Sequence, residues 1–355
     1  MSETVLQDGD VMVRSLRSLR RITLNRPKAL NAITLDMAVT MTALLRGWAD
    51  DPAVGAILLD GAGGRAFAAG GDIRALYDAA KSGDPLPERF WATEYHLNIL
   101  IARYRKPVIA VMDGVVMGGG VGLSAHASHR VVTDRSSVAM PEVGIGFFPD
   151  VGVSFLLARA PGSIGGHLAL TGDRIGAADA IYSGLADIHI PAARLGELPA
   201  ALADCRNAQE VRARLDAMSI SPSPGRLPAA RSWIDRCYSA NDVEVIFDRL
   251  RDCDAEAAHA ALGVLGKVSP TSLKITLRNL RSAAAFKRVE QSFQQDYRIA
   301  LACIAGHDFI EGIRATIVDK DRNPVWQPQR LADVTPEIVD RHFWSVGALE
   351  LKFSD

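Results

Sequence analysis

The first 190 residues of this chain alternate short apolar runs with helical stretches, and glycine clusters stand at the junctions. Ala56-Ile57-Leu58-Leu59 reads as a buried strand. It leads into a glycine-rich loop from Gly61 to Gly71, and Asp72 then opens a helix. Val108-Ile109-Ala110-Val111-Met112 is again a strand, running through Asp113-Gly114 into Met117-Gly118-Gly119-Gly120 and a small-residue helix near 120–128. Val131-Val132-Thr133 is a further strand. Repeated strand, glycine junction and helix confine this part of the chain to the α/β class.

The flanking segments fit. Residues 11–24 alternate as strands and stop at Asn25-Arg26-Pro27-Lys28. Thr34 caps a helix running to about Trp48, with Leu35, Val39, Leu44 and Leu45 expected on its apolar side, and Asp51-Pro52 ends it. A polar loop at 81–88 precedes a helix from about Phe90 to Arg103. Beyond about residue 200 the chain turns mainly helical. Ser269-Pro270 is a helix start, with serine as N-cap and proline in the first turn. Leu273, Leu277 and Leu280 form one apolar stripe, and Phe293, Tyr297, Leu301 and Ile304 a second, both read as core packing. Residues 220–228 are the expected linker or exposed loop. The expected division is a core at 1–200 and a helical region at 201–355 that completes the fold.

Charge narrows the partners. Forty basic residues against 41 acidic give a net charge of −1, so no global bias points to nucleic acid or an anionic membrane. No apolar run reaches spanning length. Four dispersed cysteines contain no C-x-x-C pair, so neither a zinc site nor a disulfide framework is implied, and a reducing compartment is expected. MSETVLQDGD is acidic and lacks an apolar core segment, unlike a secretory signal, and is a poor transit peptide. The expected location is cytoplasmic.

Several chemistries can be weighed. Gly61-Ala62-Gly63-Gly64-Arg65-Ala66 matches G-x-G-x-x-A after a strand, but Gly70-Gly71 interrupts where the helix should continue. Gly122-Leu123-Ser124-Ala125-His126 lacks the G-x-S-x-G elbow of a serine hydrolase. His126 and His129 are a weak pair, and no metal site is expected. The stronger signal is Met140-Pro141-Glu142-Val143-Gly144-Ile145-Gly146-Phe147-Phe148-Pro149-Asp150-Val151-Gly152. It sets two carboxylates eight residues apart in a segment too irregular for a helix interior and too apolar for an ordinary surface loop. Poorly solvated carboxylates are expected to have raised pKa values, which suits acid–base or nucleophilic work near neutral pH. The plainer alternative is a solvated loop with two surface acids. Ala69-Gly70-Gly71-Asp72 and Met117-Gly118-Gly119-Gly120 each open a helix, where glycine lets a substrate carbonyl approach backbone amides. Two such amides on one oxygen would make an oxyanion hole.

Together these pieces resemble the crotonase (enoyl-CoA hydratase/isomerase) superfamily. The resemblance rests on Ile22-Thr23-Leu24-Asn25-Arg26-Pro27-Lys28-Ala29-Leu30-Asn31-Ala32, on Phe67-Ala68-Ala69-Gly70-Gly71-Asp72-Ile73, and on Asp113-Gly114-Val115-Val116-Met117-Gly118-Gly119-Gly120. It implies a spiral of ββα units followed by helices, an acyl-CoA substrate, and a thioester oxygen held by the Gly71 and Gly119 amides, beside Gly120. Lys28, Ala29, Leu30, Gly70, Asp72 and Ile73 would face the CoA. Coenzyme A enters as part of the substrate, with no permanently bound cofactor. Hydratases of this family carry a glutamate two residues after the glycine triplet. Here that place is Gly122, while the second hydratase glutamate matches Glu142.

A more specific resemblance is to the 3-hydroxyisobutyryl-CoA hydrolase subgroup. It extends through Phe148-Pro149-Asp150-Val151-Gly152, Ser269-Pro270-Thr271-Ser272-Leu273-Lys274, Gly306-His307-Asp308-Phe309, Glu311-Gly312, Asp319-Lys320-Asp321 and Trp326. It implies thioester hydrolysis in valine catabolism, with substrate contacts at Glu94, Gly119, Glu142 and Asp150. For Glu94 the alternative is an exposed helix acid. Related cores often assemble as trimers or dimers of trimers, and the added helical region could alter those contacts, so a homo-oligomer is compatible with the resemblance.

Overall fold

The structure is a computed structural model that describes residues 4–353. Met1 to Glu3, at the start of the acidic N-terminal segment, lie outside the described residues.

Strands β1 (Thr4–Gln7), β2 (Val11–Leu16) and β3 (Leu19–Leu24) form an antiparallel meander. The expected helix follows as α1 (Leu35–Trp48), and the Thr34 side chain accepts the Met37 N–H at 3.2 Å. Its buried face is Met37, Ala38, Met41 and Leu45, so the expected apolar side is corrected: Val39 points outward and is 51% exposed.

Three ββα repeats come next. β4 (Ala56–Gly61) is followed by β5 (Ala66–Ala68), α2 (Ile73–Ser82) and α3 (Leu86–Ala102). β6 (Val108–Met112) is followed by β7 (Val115–Met117) and α4 (Gly119–Ala125). β8 (His129–Val132) is followed by β9 (Ser137–Ala139), with the 3-10 turn Glu142–Ile145 in the helix position, and β10 (Ile188–His189) comes later. The first strand of each repeat joins a seven-stranded sheet of order β1-β2-β3-β4-β6-β8-β10, parallel from β3 onward. The second strand joins a small sheet of order β5-β7-β9. This is the expected spiral of ββα units. The run Gly61 to Gly71 therefore contains a strand and leads to no dinucleotide-type helix at Gly63. After β10 the described residues form helices and irregular segments only.

Two compact units are each assembled from three stretches of chain. The first holds Met1–Gly71, Thr93–Val138 and Arg174–Gly225, and the second holds Asp72–Ala92, Ala139–Asp173 and Arg226–Asp355. The last switch, after Gly225, falls within 220–228, but the expected loop is corrected at its end: Leu227 and Pro228 open the helix Leu227–Tyr238, and Leu227 is buried. In the first unit one sheet face presents Leu19, Leu58, Ile109, Val111, Val131 and Ile188 to Leu198, Leu202, Val211 and Leu215. The intervening residues Ile22, Ile57, Leu59 and Ala110 are also buried. A sheet buried on both faces needs continuous apolar strands, which is why β4 and β6 do not alternate. In the second unit Pro270–Ala283 and Val289–Ala305 are the longest uninterrupted helices. Among the described residues no helix is long and apolar enough to cross a membrane.

Candidate active site

The first unit carries the glycine junctions, and they converge. Ile33 N–H donates to the Gly70 carbonyl at 2.9 Å, and Ile33 bridges Gly71 in parallel register. The position a Gly70 Cβ would take lies 3.6 Å from the Met117 carbonyl and 3.9 Å from the Gly119 nitrogen. A Cβ on Gly119 would collide with the Glu94 carboxylate, and one on Gly120 with the Ala68 carbonyl. Gly120 is therefore the condition for α4 to start against β5, and Gly119 leaves room for the Glu94 carboxylate. Gly119 is the first residue of α4, so no preceding helical carbonyl stands in place to accept its N–H. Glu94 on α3 is 2% exposed, which removes the exposed-acid alternative.

The turn at 27–30 is held from beneath by a residue that sequence reasoning placed only within a motif. Leu30 and Asn31 both have left-handed backbones, with φ of 50° and 58°. The Asn31 side chain accepts from Arg26 N–H at 3.0 Å and donates to the carbonyls of Ala62 (3.0 Å) and Ala66 (2.8 Å). Lys28 and Ala29 are exposed on this turn, and the Leu30 carbonyl accepts from Ala69 N–H at 3.0 Å. Lys28, Ala29, Leu30, Gly70, Gly71, Glu94, Gly119 and Gly120 thus lie in one unit.

The second unit carries both acids of the loop, with Asp72 and Ile73. Asp72 caps α2 by accepting Ala75 N–H at 3.3 Å, and Ile73 begins that helix. Glu142 and Asp150 are buried, at 8% and 5% exposure, so the solvated-loop alternative fails. Glu142 opens the 3-10 turn, and three glycines let backbone crowd that turn from separate sides. A Cβ on Gly146 (φ 71°) would strike the Asp308 carbonyl, and one on Gly312 would strike Ile145 backbone. One on Gly172 (φ 63°) would lie 2.8 Å from the Pro141 Cα. Aromatic rings follow directly. Phe147 stacks on Trp91 at 5.4 Å and 11°, and meets Phe148 at 4.7 Å and Phe309 at 4.8 Å. Each such ring pair adds about 0.5–1.5 kcal/mol beyond area burial.

Asp150 ends this segment in a tight turn. Its carbonyl accepts Val153 N–H at 3.0 Å across Val151 and Gly152, whose φ values are 50° and 70°. Positive φ at both central residues is type I′ geometry, normally filled by Asn-Gly or Gly-Gly. A β-branched valine there costs on the order of 1–3 kcal/mol and persists only when its surroundings hold it. The second unit supplies that hold. The Asp296 carboxylate accepts Gly152 N–H at 2.8 Å and an Asn279 amide N–H at 3.0 Å. Burial pushes the Asp296 carboxyl well above its usual range; the Asn279 bond opposes this, the charge of Asp150 adds to it, and the Gly152 N–H opposes it.

A family model described as enoyl-CoA hydratase/isomerase matches residues 19–343. The chain belongs to the enoyl-CoA hydratase/isomerase family. The mitochondrial 3-hydroxyisobutyryl-CoA hydrolase of Rattus norvegicus is 43% identical over 339 residues, which cover 94% of this chain and 88% of the rat protein. Two solved structures are also similar over nearly their whole length. One is a carnitinyl-CoA dehydratase from Mycobacterium thermoresistibile, with TM-score 0.92, 45% identity, and 98% and 99% of the two chains covered. The other is an enoyl-CoA hydratase from Rhodobacter sphaeroides, with TM-score 0.91, 41% identity, and 97% and 100% covered. In this enoyl-CoA hydratase/isomerase chain, sequence reasoning placed Gly146 and Gly312 only within motifs and passed over Gly172 and Asp296. Their signal is spatial: each acts on a segment distant in sequence.

Proposed function

We propose that this chain hydrolyses a short-chain 3-hydroxyacyl-CoA thioester, with 3-hydroxyisobutyryl-CoA foremost, to the free acid and CoA. The observation that carries the reading is the pair Glu142 and Asp150, both buried, with Gly122 in the place of the first hydratase glutamate, the one that follows the glycine triplet. Water addition across an enoyl bond uses two glutamates in this family, whereas thioester cleavage needs one activated carboxylate and a stabilised oxyanion. The amides of Gly71 and Gly119 hold the thioester oxygen. Glu142 attacks the carbonyl carbon, the C–S bond breaks and CoA leaves as the thiolate, and water opens the mixed anhydride; in the alternative route Glu142 takes a proton from the attacking water and passes it to the leaving CoA sulfur. Asp150 orients the 3-hydroxyl or handles a proton. Glu94 contacts the substrate, and Lys28 to Leu30 with Gly70, Asp72, Ile73 and Gly120 face the CoA. The acyl choice between 3-hydroxyisobutyryl and 3-hydroxypropionyl turns on one methyl, about 1–3 kcal/mol. The isobutyryl ester places the enzyme in valine degradation. Four buried thiols without disulfides fit a reducing compartment, which we take as cytoplasmic.

A second reading, hydration or dehydration of another acyl-CoA, draws on the names of the two similar solved structures. Free thiol release from 3-hydroxyisobutyryl-CoA against loss of enoyl absorbance from crotonyl-CoA separates the two. Thiol from the hydroxyacyl ester, abolished in Glu142→Ala, is the expected result. Enoyl loss without thiol would sink the hydrolase reading. A single turnover in heavy-oxygen water then divides the routes. An unlabelled acid, its oxygen taken from Glu142, is expected for an anhydride opened at the Glu142 carbonyl; label in the acid overturns that route.

A further inference from the structure

Asp150 sits one residue before two consecutive left-handed backbones, and nothing in Val151 favours that conformation. The hold comes from the helix Val289–Ala305. Asp296 is fully buried and reaches the turn with one carboxylate oxygen on Gly152 N–H at 2.8 Å. Its other oxygen takes the Asn279 amide at 3.0 Å, while the Asn279 carbonyl accepts the Gln295 side-chain amide at 2.5 Å. Asn279 Nδ2 lies 3.3 Å from Ser154 Oγ, which shares a hydrogen bond of 2.8 Å with Ser292 Oγ. Phe293, three residues before Asp296, closes the other side: a Cβ on Gly152 would lie within 3.0 Å of three of its ring atoms. Every hydrogen bond Asp296 makes here is one it accepts, from two donors on two elements. An acid in that place is a fixed acceptor for the turn, and an amide would turn an N–H against one of the donors.

We infer that Asp296 is the positioning residue for Asp150, with Asn279, Ser154 and Ser292 completing a buried network that fixes the Asp150–Val153 turn. The inference rests on Asp150 acting in the hydrolysis proposed above. Misplacing a reacting group by about 1 Å can cost on the order of 100-fold in rate. Asp296→Asn is therefore expected to lower kcat about 10- to 100-fold with KM for the CoA ester little changed. The double variant Asp296→Asn with Asn279→Asp reverses the pair. The amide introduced at position 296 accepts from Gly152 N–H and donates to the carboxylate introduced at position 279, which also accepts from Gln295. The double variant is expected to recover kcat to within a few-fold of wild type. A wild-type kcat in Asp296→Asn, or a folded double variant as slow as the single, overturns the inference. Should Asp296→Asn not fold, Ser154→Ala removes one hydroxyl from the same network. A fall in kcat at unchanged KM upholds the inference, and an unchanged kcat overturns it. Absence of wild-type thiol release would instead defeat the hydrolase reading. The crystal structure of Asp296→Asn then decides alone: a displaced Asp150–Val153 turn upholds the positioning role and an unmoved one overturns it.

Discussion

Gly119 shows how a single residue sets two properties that pull apart. Gly119 is the first residue of α4 and its backbone is not left-handed, so alanine meets no backbone strain there. At Gly119 the added methyl would meet the Glu94 carboxylate, the far end of a flexible side chain, rather than backbone. Gly119→Ala is therefore expected to fold with a melting temperature within a few degrees of wild type, while kcat/KM for the thioester falls about 100-fold as Glu94 is displaced. Thermal melting and thiol-release kinetics on one preparation check both halves; unchanged kinetics would remove Glu94 and Gly119 from the site. Glycines of this kind are legible in sequence because the junction that needs them is local: strand, glycine and helix follow within a few residues. Asp296 is not legible in the same way. The expected stripe Phe293, Tyr297, Leu301 and Ile304 is corrected at its end: Leu301 and Ile304 are only half-buried, whereas Ser292 and Asp296 are buried beside Phe293 and Tyr297. A buried acid is recognised by the donors that face it, and those come from elsewhere in the chain.

Elements are legible in proportion to their length and to their end signals. α1 reads with correct ends because Thr34 caps it and Asp51-Pro52 follows, although its inner face differs from the expected one. β5, β7 and β9 do not read as strands, since three residues carry too little periodicity and their pairing lies in the small sheet. The packing of one element on another escapes sequence altogether at the Glu142 turn. The helix Asp308–Ile313 lies against the turn Glu142–Ile145, and Gly312 sits where a methyl would enter Ile145 backbone. Backbone on both sides leaves no flexible atom to yield. Gly312→Ala should thus reverse the usual helix preference and destabilise by about 1–3 kcal/mol, the range for overpacking. Denaturant unfolding would read this as a lowered midpoint at unchanged slope, with hydrolysis weakened through Glu142. A stabilised, fully active variant would show that the helix and the turn are not in register contact.

At the scale of the whole chain, secondary structure and compactness divide the molecule differently. Among the described residues strands end at residue 189, but the first unit runs on to Gly225 and the second draws on Asp72–Ala92 and Ala139–Asp173. Composition reveals the first division, because a change from alternating elements to helices is visible along the sequence. The second depends on which distant segments share a core, and no local pattern carries that. A fragment ending at residue 200 separates the two. It would keep every strand, but lose Leu202, Val211, Leu215 and Met218 from the sheet cover. Residues 139–173 would also lose Pro270–Ala283 and Val289–Ala305, the helices that supply Asn279 and Asp296. Each buried leucine or valine side chain exposed forfeits about 1.5–3 kcal/mol, against a total stability of about 5–15 kcal/mol for a domain. The 1–200 fragment is expected to melt without a cooperative transition and to bind a hydrophobic dye. A fragment ending at residue 225 restores the sheet cover and is expected to regain a cooperative melt without thioester hydrolysis. A sharp transition in the 1–200 fragment, close to that of the full chain, would show that the strands and the first helices suffice for a folded core and that the later helices are an addition to it.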